Sequence, residues 1–226
     1  MRNYFILGLM VVLMASCASQ SAVTRGDQYA KMYEERPLSI VIMPPINQTN
    51  HVEAKDYFYT TLYTPLCEKG YYVFSPMMTM EMFQSESAYD AEMFIDKDLS
   101  KFRQVLGADA AMFTIIKTWK RNNIGGSLTA GVEYILRSTK TGETLYQREG
   151  QITVDTSISG NSKGLLGALL DVAATAASTA ATDKVVAGRK CTAYVLSDMP
   201  EGKYGALFDK DQKLGAGKKN VSATVR

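Results

Sequence analysis

The constraint that bears hardest on this chain is a pair of alternating runs joined by a short turn. In "SLTAGVEYILRS", Leu128, Ala130, Val132, Tyr134 and Leu136 fall on one side, with Thr129, Glu133 and Arg137 mostly on the other. A side-chain period of two belongs to a strand with one buried face. "TKTGE" follows as a hairpin turn in which Gly142 supplies positive φ. "TLYQREGQITVDT" returns as the partner strand, with a bulge expected near Gly150. Such a hairpin must cover its apolar face with other elements, so the rest of the chain is read for what can pack on it.

Upstream, "LSIVIMPP" is an almost unbroken apolar run, the pattern of a strand buried on both faces, and Pro44-Pro45 end its ladder. "INQTN" then reads as a polar loop. Val52 to Lys69 reads as one helix with Asn50 as N-cap; Phe58, Leu62 and Leu66 recur at i, i+4 and i+8 as its core stripe, and Pro65 kinks its last turn. "YYVFSP" is a second strand, "MMTMEMFQSE" and "KDLSKFRQVLG" are helices, and "ADAAMFTIIKTWKR" is a strand that turns polar at its end. "NIGGSLTAG" lies between strands and reads as a turn. The expected order is β-α-β-α-α-β-β-β: an α/β domain with a mixed sheet of about five strands and packed helices.

After the hairpin, "LLGALLDVAATAASTAATDKVVAG" is helical by composition, with Ala173, Ala177 and Ala181 spaced four apart on a thin face. Asp171, Asp183 and Lys184 argue against a membrane span. It reads as a helix packed on its own domain; a sharper reading makes the thin face a contact between copies. "KLGAGKKNVSATVR", rich in Gly and Lys, reads as a mobile tail.

The amino terminus sets location. Tyr4 to Ala15 is apolar for 12 residues, whereas a spanning helix needs about 20. A short basic start, an apolar stretch and small residues before a cut site describe a secretory leader. Leu13-Met14-Ala15-Ser16-Cys17 resembles a bacterial lipobox, with Met14 where Leu is most usual. The resemblance implies cleavage before Cys17 and acylation of that cysteine. Ala18 is not the Asp of an inner-membrane retention signal, and no acidic run follows, so an outer-membrane anchor with a periplasmic domain is expected. An ordinary leader with an incidental cysteine is the alternative. The resulting division is residues 1–16 leader, 17–36 lipidated start and flexible tether, 37–211 α/β domain and 212–226 tail.

Chemistry is sparse. Lys plus Arg number 25 against 23 acidic residues, a formal +2, so net charge supplies no strong field for nucleic acid or anionic lipid. His51 is the single histidine, which leaves no His-based triad or metal cluster to build. No Gly-rich phosphate loop is present, and Asp56, Glu81 and Glu133 are scattered. Neither an enzyme nor a cofactor is expected. Cys67 and Cys191 either pair in an oxidising compartment or stay free, and Cys67 on a buried helix side favours the free thiol. Trp119, Tyr57 and Tyr59 are candidate contact residues: Trp119 stands at the polar end of its strand, where burial at the sheet end is the favoured alternative, and Tyr57 and Tyr59 belong to an aromatic set able to line a groove or fill a core.

"SIVIMPPINQT", "DYFYTTLYTPLCEKGYYVF", "LGADAAMFTIIKTWK" and "YILRSTKTGETLY", in that order, resemble a family of uncharacterised bacterial lipoproteins labelled by a domain of unknown function. The likeness spans Leu38 to Asp211. It implies an α/β domain similar to the amino-terminal domain of TolB and to the periplasmic part of curli-type secretion channels. It also implies a gene neighbourhood with a curli-channel-like lipoprotein, hence envelope protein partners; it supplies no catalytic residues. The expected function is a non-enzymatic assembly or accessory component of an outer-membrane envelope complex, offering a sheet edge or the small-residue helix to partners or to another copy of itself in a homo-oligomer. The alternative is a lipoprotein holding a glycan, lipid or peptide in an aromatic groove.

Overall fold

The computed structural model describes residues 23–85, 90–157, 177 and 183–225. Cys17, Ala173 and Ala181 lie outside the described residues; Ala177 is helical and exposed. The strands are β1 (Ser39–Ile42), β2 (Ile46–Asn47), β3 (Tyr72–Val73), β4 (Ala110–Asn122), β5 (Ser127–Ser138), β6 (Thr144–Asp155) and β7 (Asn220–Val225). The helices are α1 (Arg25–Gln28), α2 (Ala30–Glu35), α3 (Glu53–Thr61), α4 (Tyr63–Glu68), α5 (Pro76–Ser85), α6 (Ser100–Leu106) and α7 (Lys184–Val195). The 7-stranded mixed sheet runs in the order β3-β1-β4-β5-β6-β7, with β2 also paired to β4. β1 is parallel to β3 and β4, as crossovers through helices require, and β4, β5 and β6 form an antiparallel meander.

The alternation in β5 is realised in full. Leu128, Ala130, Val132, Tyr134 and Leu136 are all completely buried, and the turn before β6 holds Gly142 at φ 75°. Against this face pack Phe58, Leu62 and Leu66 from α3, its C-cap and α4, Cys191 and Val195 from α7, and Met32 from α2. The reverse face of β1 and the start of β4 is covered by α5 and α6, where Val41, Met43 and Phe113 meet Phe83, Leu99 and Phe102. Further along, that reverse face is polar: Lys117 Nζ bridges Glu133 at 2.8 Å and Glu149 at 2.7 Å.

Several local expectations change. The ladder resumes after Pro44-Pro45: Ile46 pairs with Ile115, so the step from Ile42 to Ile46 spans the shorter step from Met112 to Ile115. The helix after His51 divides at Leu62. Pro65 has no N–H for the Thr61 carbonyl and its ring crowds that carbonyl, which accounts for the break. Val52, not Asn50, flanks the helix start, and its backbone is already helical. Gly150 is in regular register with Val132, and the irregularity in this pair falls at Leu136/Arg137. Gly150 has a different purpose. A Cβ there would lie 2.4 Å from Val195 Cγ2 and 2.9 Å from Val221 Cγ2, so its absence lets α7 and β7 approach.

Both ends of the domain extend beyond the expected boundaries. The expected tether of residues 17–36 contains α1 and α2, with Tyr29 and Met32 in the core. Thr24 and Asp27 form a capping box that starts α1. The expected tail of residues 212–226 contributes β7, parallel to β6 from Glu149↔Asn220 to Val154↔Val225. The outer edge of β6 from Glu149 to Val154 would otherwise expose unpaired N–H and C=O groups, and β7 pairs with it there.

Candidate functional site

The amino-terminal segment, where any lipid tether would join the domain, is stitched to the segment before β7. Val23 O accepts from Ala216 N–H at 2.8 Å, Arg25 N–H donates to Leu214 O at 2.8 Å, and Gly26 N–H donates to Gln212 O at 2.9 Å. Beneath this seam lies a buried polar clasp. Asp198 Oδ2 accepts from the Tyr29 hydroxyl at 2.8 Å and from Gly217 N–H at 2.8 Å, while its Oδ1 lies 3.0 Å from Arg148 Nη1. Arg148 Nη1 also donates to the Tyr194 and Val195 carbonyls at 3.0 and 2.9 Å, and its Nε donates to the Lys218 carbonyl at 2.9 Å. Tyr194 and Val195 end α7, so the guanidinium occupies a helix terminus whose carbonyls otherwise lack partners. Asp211, fully buried, receives Arg25 at 3.3 Å, the Tyr33 hydroxyl at 3.0 Å and Glu201 N–H at 3.0 Å.

Burial, then the charge of Asp198, pushes the Tyr29 and Tyr146 hydroxyls well above the usual tyrosine range. Both therefore remain donors at neutral pH. The Asp198 and Asp211 carboxylates and the Arg148 guanidinium are all engaged with partners, so the clasp acts as a fastener. Sequence reading passed over Arg148 and both aspartates. One signal was available: Tyr146, Arg148, Gly150, Ile152 and Val154 share the inward side of β6, so an arginine stood in a buried register.

The candidate contact residues separate. Tyr57 and Trp119 stack at 5.2 Å with Phe58 at their edges, and the Tyr57 hydroxyl donates to Val185 O at 2.9 Å. Trp119 is 2% exposed and belongs to the core, not to an open contact surface. The sheet's bulge between Ile116 and Thr118 turns it inward at the strand's polar end. Gly188 of α7 sits on this stack: a Cβ would lie 2.5 Å from Tyr57 and 2.8 Å from Trp119. Tyr59 is also buried and faces elsewhere, bonding to Pro76 O at 2.9 Å and Thr79 Oγ1 at 2.8 Å. The three rings therefore line no common groove. Trp119 edges a polar cleft of about 210 Å³ shared with His51 and Lys117, smaller than the roughly 300–1,000 Å³ of small-molecule sites.

Cys67 and Cys191 are both free thiols. Burial pushes the Cys191 thiol up to about 12, and it donates to Gly150 O at 3.3 Å. His51 Nδ1 is 3.4 Å from Glu53 and 3.4 Å from Lys184 Nζ. Among the described residues no helix is long and apolar enough to cross a membrane, and no group of His, Cys, Asp or Glu is placed to hold a metal ion.

Fold and sequence together place the chain among lipoproteins that carry a mixed α/β domain. More particularly, residues 27–203 match the family described as "Putative lipoprotein GNA1162-like", and the chain belongs to that family. "Putative lipoprotein NMB1124/NMB1162" of Neisseria meningitidis serogroup B is 26% identical over 194 residues, 84% of this chain and 88% of the relative. The crystal structure of lipoprotein GNA1162 from Neisseria meningitidis aligns with a TM-score of 0.50 at 24% identity, over 61% of this chain and 95% of that one. That likeness is one of fold. The PelC dodecamer from Paraburkholderia phytofirmans aligns with a TM-score of 0.45 at 13% identity, over 74% of this chain and 91% of that one.

Proposed function

We propose that this chain is a non-enzymatic lipoprotein, held to the outer membrane by acyl groups on Cys17, its domain in the periplasm. There it serves as an assembly or accessory component of an envelope complex. The observation that carries the reading is Cys17, behind Leu13-Met14-Ala15-Ser16, in a chain that belongs to a lipoprotein family. Multiple acyl chains, at about 0.8 kcal/mol per buried CH₂, give stable anchoring. The accessory role draws support from the site: the buried Arg148 and Asp198 neutralise one another, and Tyr57, Tyr59 and Trp119 are spent on packing. A curli-channel-like lipoprotein is the partner that the sequence resemblance implies.

Gentle detergent extraction, chemical crosslinking and affinity purification from native membranes test this role. Recovery of a defined envelope protein in fixed ratio is expected. Recovery of the lone monomer under crosslinking conditions would refute the accessory role while leaving the anchor intact.

A further inference from the structure

We infer that the surface around the tether's exit lies against an anionic lipid surface, namely the headgroups of the leaflet that holds the acyl chains. The inference rests on the proposed anchor at Cys17. Its observation is a juxtaposition: exposed Val23, Lys210, Lys213, Leu214, Lys218 and Lys219 all belong to the seam that joins the amino-terminal segment to the approach of β7. The net charge of the chain conceals this cluster, because acidic residues elsewhere cancel it.

Three features favour lipid as the occupant. First, reach: Val23 is the sixth residue beyond Cys17, and six extended residues span at most about 20 Å. The seam is therefore the part of the domain that the anchor holds nearest the bilayer, within about two Debye lengths at 0.1 M salt.

Second, charge: between Lys210 and Val225 four lysines face one acid, Asp211, which is fully buried and taken by Arg25. None of the four lysines makes an ion pair among the described residues. Of the nearby carboxylates Asp209 is paired with Arg36 at 3.2 Å, while exposed Asp27 is held by the Thr24 cap and keeps its charge, one against four lysines. Lysine ammonium groups near an anionic surface each contribute to binding, and their effects accumulate.

Third, apolar content: Val23 is 55% and Leu214 45% exposed. Their neighbouring backbones are locked by the hydrogen bonds Ala216 N to Val23 O and Arg25 N to Leu214 O, both 2.8 Å. Two exposed aliphatic side chains on a backbone fixed within a lysine-rich segment suit the boundary between headgroups and acyl chains. A protein partner would be expected to find carboxylate acceptors matched to fixed geometry. The unpaired cations of the cluster are flexible lysines, which match mobile phosphates, whereas exposed Arg36 beside them is committed to Asp209.

The test uses the chain without its leader and with Cys17→Ser, so that no acyl group contributes. Co-sedimentation is measured with vesicles of equal parts phosphatidylglycerol and phosphatidylcholine, and with pure phosphatidylcholine. Binding to the anionic vesicles alone, weakened by salt, is expected. Joint replacement K213Q, K218Q and K219Q should lower the partition coefficient roughly tenfold to a hundredfold. Replacement of Lys97, Lys101 and Lys120, exposed on other parts of the domain, should leave it unchanged. Circular dichroism confirms that each variant folds.

Absent binding, equal binding to both vesicle types, or an equal loss in the control variant would overturn the inference. Mass analysis of the native protein keeps the two claims apart. Acylated Cys17 with no vesicle binding sinks the docking surface alone, and vesicle binding with an unmodified Cys17 sinks the anchor alone.

Discussion

Replacing Asp198 by Asn tests whether the clasp fastens the two ends of the domain. The change preserves shape and removes the charge that faces Arg148 at 3.0 Å. Arg148 and Asp198 side chains are only 5% and 6% exposed, so water cannot replace the lost partner. Leaving one member of a buried ion pair uncompensated costs about 3–5 kcal/mol. The Asn amide also presents N–H where a carboxylate oxygen had accepted, opposing either the Gly217 N–H or the guanidinium. A domain of this size loses about 2–4 °C in Tm per kcal/mol, so a fall of roughly 6–20 °C is expected. Urea unfolding followed by circular dichroism gives the free energy. Hydrogen exchange gives its location, with protection lost first at β7 and at the amides of residues 212–217. A cost below about 1 kcal/mol, or unchanged exchange at β7, would refute the reasoning.

Further perturbations test other parts of the account. Gly188→Val, which drives a side chain into Tyr57 and Trp119, should cost at least about 1–3 kcal/mol and shift the tryptophan fluorescence. Tyr29, Tyr59, Tyr71, Tyr134 and Tyr146 are raised chiefly by burial, Tyr59 to about 12. Their folded pKa values exceed the unfolded value of 10.0, so their stabilisation is complete below pH 10 and is lost as pH rises through the folded values; phenolate absorbance should appear together with unfolding. Burial opposes ionisation of Glu133, but hydrogen bonds from Lys117 and Gln147 outweigh it and hold its carboxyl below the usual value of 4.5. Its stabilisation is therefore present above pH 4.5 and lost as pH falls through the folded value, and Glu133→Gln should flatten acid denaturation there. In native protein a thiol reagent should modify Cys67 and spare Cys191 until the chain unfolds.

What was legible in the sequence follows from where periodic burial dominates. Leu128 to Leu136 alternate because one face of β5 is covered and the other is polar, so strand, turn and partner could all be read. Phe58, Leu62 and Leu66 likewise mark a helix stripe even though Pro65 divides that helix in two. β7 was hidden because its formation depends on the open edge of β6, and its own residues alternate between exposed and half-buried with only Val221 and Val225 as large apolar anchors. α1 and α2 were hidden for a related reason: Tyr29 and Met32 are among the few large apolar residues in a polar stretch, and Tyr29 is buried against the distant Tyr146 and Asp198. The clasp joins Tyr29, Arg148, Asp198 and Gly217, positions too far apart for spacing to connect. Trp119 shows the converse: at a polar strand end it could be read as an exposed contact or as buried at the sheet end, and the bulge makes it buried.

Intact-mass analysis of the protein extracted from native membranes tests the central claim most directly. The account predicts a chain beginning at Cys17 with the added mass of its acyl groups, localised to that residue by peptide fragmentation. A soluble species carrying an unmodified cysteine, or a mature chain starting beyond it, would contradict the account.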